Sequence, residues 1–237
     1  MPGDRKIAVV IPALDEEGAI GDVVGAVART GLVEEIVVAD NGSKDRTAQR
    51  AKDNGATVVD APRRGYGSAC LAALAYLRDR TAGPPDIVVF VDGDGSNDPA
   101  ELEKLIEPIA RGEAELVIGS RARRSEKGSM TLPQLAGNLL ASRLLRLLYD
   151  VHATDLGPFR AISWRALERL EMADPDYGWT VEMQVKAARR GVRVREIDVA
   201  NLPRKAGKSK VGGTVRGVAG ASYKILSTIF KYHRSRS

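Results

Sequence analysis

The sequence is poor in the residues that most often build self-contained reactive centres. Of its 237 residues one is cysteine, Cys70, and two are histidine, His152 and His233. A lone cysteine forms no intramolecular disulfide, which fits a reducing compartment. Two histidines this far apart suggest neither a zinc motif nor a catalytic triad. Aromatic residues make up 5% of the chain. The basic end of the chain has no row of them on which nucleobases would stack, so no nucleic-acid partner is expected. No apolar run reaches the ~18 residues of a membrane span. Residues 1–6 lead straight into a strand-like segment without the apolar core of a signal peptide. The expected location is the cytoplasm.

Acidic residues are missing from one whole region. Residues 199–237 contain nine basic side chains (Arg204, Lys205, Lys208, Lys210, Arg216, Lys224, Lys231, Arg234, Arg236) and no carboxylate. Residues 1–198 hold 27 basic and 31 acidic residues, a net of −4, so the overall +5 hides a mildly acidic body and a basic tail. Such a tail suits anions: a membrane surface, a nucleic acid or substrate phosphates. With 43% hydrophobic and 28% charged residues the chain has an ordinary globular composition. At this length folding buries roughly three quarters of the unfolded surface, so no disulfide or metal staple is needed.

The first 120 residues alternate between two patterns. β-Branched runs at Ile7–Ile11, Ile36–Ala39, Thr57–Val59, Ile87–Val91 and Leu116–Ile118 suit strands buried on both faces of a parallel sheet. Between them Ile20, Val23, Val24 and Val27, and Leu102, Leu105, Ile106 and Ile109, recur at helical spacing. Asp98 with Pro99 reads as a helix start, and Ser43 as the cap of a helix running to Asn54. A β-α-β-α rhythm of this kind predicts a doubly wound α/β sheet. Residues 119–131 then read as a long polar loop. A helix over 133–149 follows, with Leu135, Leu139, Leu140, Leu144, Leu147 and Leu148 near one face. Helices near 164–170 and 178–190, a strand at 193–199, a basic glycine-rich loop at 203–213 and a last helix over 214–233 complete the expectation.

Ligands of open α/β sheets bind outside the carboxyl ends of the strands. There the sequence places IPALDEE, ADNGS and VDGDGSND. Asp92 and Asp94, with Gly93 between them at a turning strand end, can converge on one site. Two carboxylates there favour a divalent cation, Mg²⁺ or Mn²⁺, shared with substrate phosphates. The alternative is a solvated acidic turn. Asp40 can accept hydrogen bonds from a base N–H or cap the next helix. Asp15 and Glu16 can serve a ligand or favour a helix N-terminus through its dipole. Gly65-Tyr66-Gly67 lets backbone approach a ligand at Gly67, or is merely a tight turn. The first strand's turn has no glycine and no phosphate-loop motif is present, which excludes an ordinary dinucleotide or ATP loop.

Taken in order, VVIPALDEE (9–17), VVADNGSKDRT (37–47), GYGSA (65–69), VDGDGSNDP (91–99), VIGSR (117–121), DLGPFR (155–160), YGWTVEMQVKAARRG (177–191) and PRKAGKSK (203–210) resemble the family 2 glycosyltransferases of GT-A fold. The nearest resemblance is to the dolichyl- and polyprenyl-phosphate mannose or glucose synthases. The resemblance implies an α/β, Rossmann-like mixed sheet flanked by helices. It makes residues 1–213 one catalytic domain, with 1–120 the nucleotide-sugar half and 121–213 the acceptor half, before a basic amphipathic helix at 214–237.

It also implies roles. Pro12, Leu14 and Glu16 would border the nucleotide, with Val38 and Asp40 at base and ribose. Asp92 and Asp94 would hold the metal beside the donor diphosphate, with Gly93 close by. Ser96 stands at a metal-side position where many of these synthases carry glutamine. Arg121, Arg204 and Lys210 would grip phosphates, Arg through its planar fork. Asp155 and Glu182 would lie on the acceptor side. For Glu182 a helix salt bridge to Lys186 is the alternative. Trp179 would line the sugar pocket or sit in the core.

The implied reaction is metal-dependent, inverting hexosyl transfer from GDP-mannose or UDP-glucose to a polyprenyl phosphate. A soluble or glycan hydroxyl is the alternative acceptor. A phosphate acceptor needs no general base, whereas a hydroxyl needs one, with Asp155 the first candidate. The metal held by Asp94, together with Arg204 in the cationic loop, would stabilise the departing charge. A sugar-1-phosphate nucleotidylyltransferase and a non-enzymatic basic membrane- or RNA-binding module are remoter alternatives. For the final helix three partners stay open: the protein's own body, an anionic lipid surface at the inner face of the cytoplasmic membrane, or a second copy of the chain in a homodimer.

Overall fold

The computed structural model describes residues 5–122, 132–207 and 215–234. Seven strands form one mixed sheet in the order β3-β2-β1-β4-β6-β5-β7. They are β1 (Ile7–Ala13), β2 (Glu35–Asp40), β3 (Thr57–Asp60), β4 (Ile87–Phe90), β5 (Leu116–Ser120), β6 (Arg160–Ser163) and β7 (Val194–Asp198). All run one way except β6, which is antiparallel to both β4 and β5. The five runs read from the residue pattern, β1–β5, all run one way, and β6, four residues, RAIS, inserted between two parallel neighbours, makes the sheet the mixed one that the resemblance implies.

The β-branched runs of β1, β2, β4 and β5 are buried on both faces because helices cover both, whereas β3, at the edge of the sheet, is only partly buried. On one face, Ile7, Val9 and Ile11 pack with α1 (Ile20–Arg29) and α4 (Leu102–Ala110). On the other, Ala8 and Val10 pack with α3 (Tyr66–Asp79), α6 (Trp164–Leu170) and α7 (Trp179–Arg189). Asp98 caps as expected: its Oδ1 accepts from Ala100 N at 3.0 Å, and a single 3₁₀ turn over Pro99–Glu101 leads into α4.

The helix expected to start at Ser43 starts later, as α2 (Thr47–Asp53). Ser43 is diverted: its hydroxyl donates to Asp40 Oδ1 and accepts from Asp15 N at 2.9 Å. Asp45 Oδ1 instead accepts from Thr47 N, at 2.9 Å.

A third cluster joins α5 (Leu132–Tyr149), α7 and α8 (Val215–Arg234). The leucine face expected of α5 is only partly the face it buries. Ala141 and Leu145 are buried, Leu144 and Leu148 are partly packed, and Leu139, Leu140 and Leu147 are 53%, 49% and 79% exposed. The helix carries more leucines than one face can hold. The expected domain boundary at 213 and most of the loops at 119–131 and 203–213 lie outside the described residues. Among the described residues no helix is long and apolar enough to cross a membrane.

Candidate active site

The sheet brings every candidate loop to one edge. β1, β2 and β4 deliver the segments after Ala13, Asp40 and Phe90 there. β6 pairs Arg160 with Phe90 and Ile118, so being antiparallel it brings the preceding loop, with Asp155, to the same edge. β5 adds Arg121, and the chain after β7 adds Arg204.

Asp92 and Asp94 follow β4. A hydrogen bond from Asp92 N to the buried Asn97 side chain, 2.8 Å, shapes the turn. Another from Ser96 N to Asp94 Oδ1, 2.9 Å, tightens it. The Asp92 carboxylate is half-buried and has no hydrogen-bond or ion-pair partner among the described residues. Burial and the neighbouring Asp94 charge push it up to about 7, against the pull of Arg121 and Arg204.

Arg204 spans the site. Its guanidinium meets both Glu16 oxygens, at 2.9 and 2.7 Å, and Asp94 at 3.1 Å. Glu16 is therefore spent on an arginine, while its backbone N–H donates to Thr47 Oγ1 at 2.8 Å and its carbonyl receives Ile20 N at 2.9 Å. Lys205 N donates to the Asp94 carbonyl at 3.0 Å, fixing this loop to the strand end.

Arg121 is the second guanidinium near Asp92. Asp155, 1% exposed, takes Arg121 Nε at 2.6 Å, Nη2 at 2.9 Å and the Arg121 backbone N–H at 2.9 Å. Burial pushes the Asp155 carboxyl up, but these bonds and the Arg121 charge outweigh it and hold the group below its ordinary range. Asp155 thus holds Arg121 through both of its carboxylate oxygens. Gln184 on α7 donates to its carbonyl at 3.1 Å, and Asn138 on α5 brackets it, bonding Thr154 O at 3.1 Å and Leu156 N at 2.9 Å.

Not every expected residue reaches this edge. Val38 lies wholly in the core, so it presents no surface to a base. Asp40 ends β2 half-buried, bonded by Ser43. Pro12 and Leu14 are partly exposed beside it, and Gly93 is buried against Ile11, Ala13 and Ile20. Gly67 serves its own chain: a Cβ there would collide with the Asp174 carbonyl, as one on Gly65 would with that of Pro175. Trp179 is a core residue, edge-on to Phe90 with ring centroids 6.1 Å apart. Glu182 is fully buried on α7, where Lys186 Nζ at 2.8 Å, Tyr232 hydroxyl at 2.6 Å and the Ala173 and Asp174 N–H groups satisfy it. Its helix salt bridge is present, and no part of it is exposed. Lys210 lies outside the described residues.

The sequence assigns no role to Arg160, the last residue of DLGPFR. It is 0% exposed and donates to the carbonyls of Leu156, Gly157 and Thr180, and burial lowers it to about 10. It ties the Asp155 loop to α7. Its signals in the sequence are its place at the end of DLGPFR and a lone charge opening the RAIS strand.

A strand-end carboxylate pair faced by two anchored guanidiniums can hold a cation and an anionic leaving group together, and the sequence family agrees. The chain belongs to glycosyl transferase family 2, whose profile matches residues 8–170. An uncharacterised glycosyltransferase of Mycobacterium tuberculosis strain H37Rv is 38% identical over 92% of this chain and 94% of its own. A dolichyl-phosphate hexose transferase of Haloferax volcanii (33%) and an undecaprenyl-phosphate mannosyltransferase of Micrococcus luteus (27%) each match over 90% of both chains. Glucosyl-3-phosphoglycerate synthase of M. tuberculosis, solved with Mn²⁺, UDP and glucosyl-3-phosphoglycerate, superposes with a TM-score of 0.79 at 27% identity, over 99% of this chain and 82% of that one. The shared fold is GT-A.

Proposed function

We propose that the protein transfers a hexosyl group from UDP-glucose or GDP-mannose to a polyprenyl phosphate, with inversion, using Mg²⁺ or Mn²⁺. The observation that carries this reading is the charge arrangement at the sheet edge. Asp92 and Asp94 stand between Arg121 and Arg204, and Asp92 has no partner of its own among the described residues.

This donor set fits a hard cation. No group of three metal-binding side chains converges among the described residues. Two carboxylates, with Ser96 adjacent, leave the remaining positions to diphosphate oxygens and water, as Mg²⁺ sites often do. When bound, the cation supplies charge neutralisation to the departing nucleoside diphosphate. The chain's own contribution is preorganised cationic groups. Asp155 fixes Arg121, and Glu16 fixes Arg204, so neither has to be ordered as negative charge develops. Asp40, at the end of β2, is placed to accept from a base N–H.

The acceptor follows from what lacks freedom. A hydroxyl nucleophile needs a base, and the carboxylate nearest that role is bonded to Arg121 through both oxygens. A phosphate monoester is already ionised and attacks without one. Two relatives covered almost end to end are named for polyprenyl phosphates, which supports the same choice. A phosphorylated soluble alcohol is the second reading, favoured by the likeness to glucosyl-3-phosphoglycerate synthase.

Calorimetric titration with UDP-glucose and GDP-mannose tests the donor site. Binding of one, strengthened by Mn²⁺ and lost in Asp94→Asn, is the expected result. Absence of metal-dependent binding for both would remove the reading.

A further inference from the structure

We infer that the outer faces of α5 and α8 form a docking surface for an anionic lipid bilayer. The described residues include six large apolar side chains that are strongly exposed. Five of them sit on these two helices: Leu139, Leu140 and Leu147 on α5, and Tyr223 (75%) and Phe230 (44%) on α8. Both helices turn their small or apolar residues inward, Ala141 and Leu145 from α5 and Ile229 from α8, onto Val181 and Val185 of α7. The exposed residues therefore lie on the sides turned away from α7, and α5 and α8 pack against each other as a pair.

Charge selects the occupant. Neither α5 (18 residues) nor α8 (20 residues) contains a single Asp or Glu. Exposed Arg143 and Arg146 follow Leu139 and Leu140 on α5, and exposed Lys231 follows Phe230 on α8. Apolar side chains interleaved with cations only, on a helix too polar to span, are what an interfacial helix presents to anionic headgroups. A protein partner of ordinary surface would meet uncompensated positive charge.

The surface is joined to the active site. Asn138, one residue before Leu139, holds the segment carrying Asp155, and Asp155 holds Arg121. On the other helix, Thr228 and Lys224 bond Asp174 at 3.5 and 3.3 Å and Tyr232 bonds Glu182, which fastens α8 to the body beside α7. Docking through this pair places the Arg121 edge near the headgroup region, where the phosphate of a lipid acceptor lies. The biological purpose of the surface rests on the lipid-phosphate reading; its physics does not.

Co-sedimentation of the full chain with phosphatidylcholine vesicles, with and without phosphatidylglycerol, tests it. Binding should require the anionic lipid and weaken with salt. The double change Arg143→Glu/Arg146→Glu should lower it by roughly tenfold or more. Leu139→Glu/Leu147→Glu should do the same while circular dichroism and donor binding stay unchanged. Wild-type chain that stays in the supernatant with anionic vesicles would overturn the inference. So would variants that turn a dimer into a monomer in light scattering yet bind vesicles as before, since the face would then serve a second copy. Transfer to a water-soluble short-chain prenyl phosphate separates the two readings. Transfer without vesicle binding removes the surface and keeps the acceptor, whereas vesicle binding without transfer removes the acceptor alone.

Discussion

Arg204 and Glu16, 188 residues apart in sequence, meet at 2.7 Å, and the same guanidinium reaches Asp94 at 3.1 Å. The loop after β7 is thereby fastened across the ends of β1 and β4, and a cation is held beside the carboxylates that would bind the donor. Arg204→Ala is expected to lower kcat/KM for the donor by about 100-fold, the usual cost of losing one preorganised charge donor. Arg204→Lys should recover little, because an ammonium cannot bridge two carboxylates in the same fork geometry. Steady-state kinetics of the three chains decides this, and equal rates would reject the role.

Asp155→Asn separates the two readings of that residue. Breaking a buried ion pair by removing one partner costs on the order of 3 kcal/mol. The folded carboxyl is held below its unfolded value. The pair's contribution is therefore complete above the unfolded pKa and is lost as pH falls through the lower folded value. Urea melts should show the wild type's advantage at neutral pH shrinking in acid. Activity should fall with the loss of Arg121 placement, while the pH–rate profile keeps its shape. Disappearance of an acidic limb from the profile would restore the base assignment.

Asp92 reverses the sign. Its carboxyl is raised to about 7 in the folded state, so the folded protein binds this proton more tightly than the unfolded chain. Its contribution therefore declines as pH rises from about 4 to about 7. Asp92→Asn should stabilise the metal-free protein at pH 8 by on the order of 2 kcal/mol, with the gain shrinking toward pH 5, while abolishing metal-dependent donor binding. Thermal melts in EDTA at the two pH values measure it, and a variant no more stable than the wild type at pH 8 contradicts it.

Gly67→Ala tests whether the glycine turn serves the fold. The new methyl would strike the Asp174 carbonyl, and Ser68 N would lose its 2.8 Å bond to Pro175 O. Overpacking of this kind costs about 1–3 kcal/mol. Chemical denaturation should register it, with donor affinity of the folded fraction unchanged. A change in donor affinity without loss of stability would return Gly67 to the ligand.

The strands and helices that were legible share one property: their patterns are local. Ile20, Val23, Val24 and Val27 announce α1, and Asp98-Pro99 announces the start of the 3₁₀ turn before α4. Asp92 and Asp94 stood out because a strand end puts chemistry in a predictable place. What was hidden depends on contacts distant in sequence. β6 is four residues long, and its first, Arg160, is satisfied by carbonyls of the preceding loop and of α7. Ser43 looked like a cap until Asp40 and Asp15 claimed its hydroxyl. Glu182 and Trp179 fit an acceptor site by motif, yet burial against Lys186, Tyr232 and Phe90 assigns them to the core. No periodicity in α5 distinguishes leucines that pack from leucines left outside.

The most direct test of the central claim offers the full chain one donor, Mn²⁺, and an equimolar mixture of a polyprenyl phosphate and 3-phosphoglycerate. Mass spectrometry then follows the product. The expected product is a polyprenyl phosphate heavier by one hexose, formed only with metal and absent with Asp94→Asn. Hexose found on phosphoglycerate alone would contradict it.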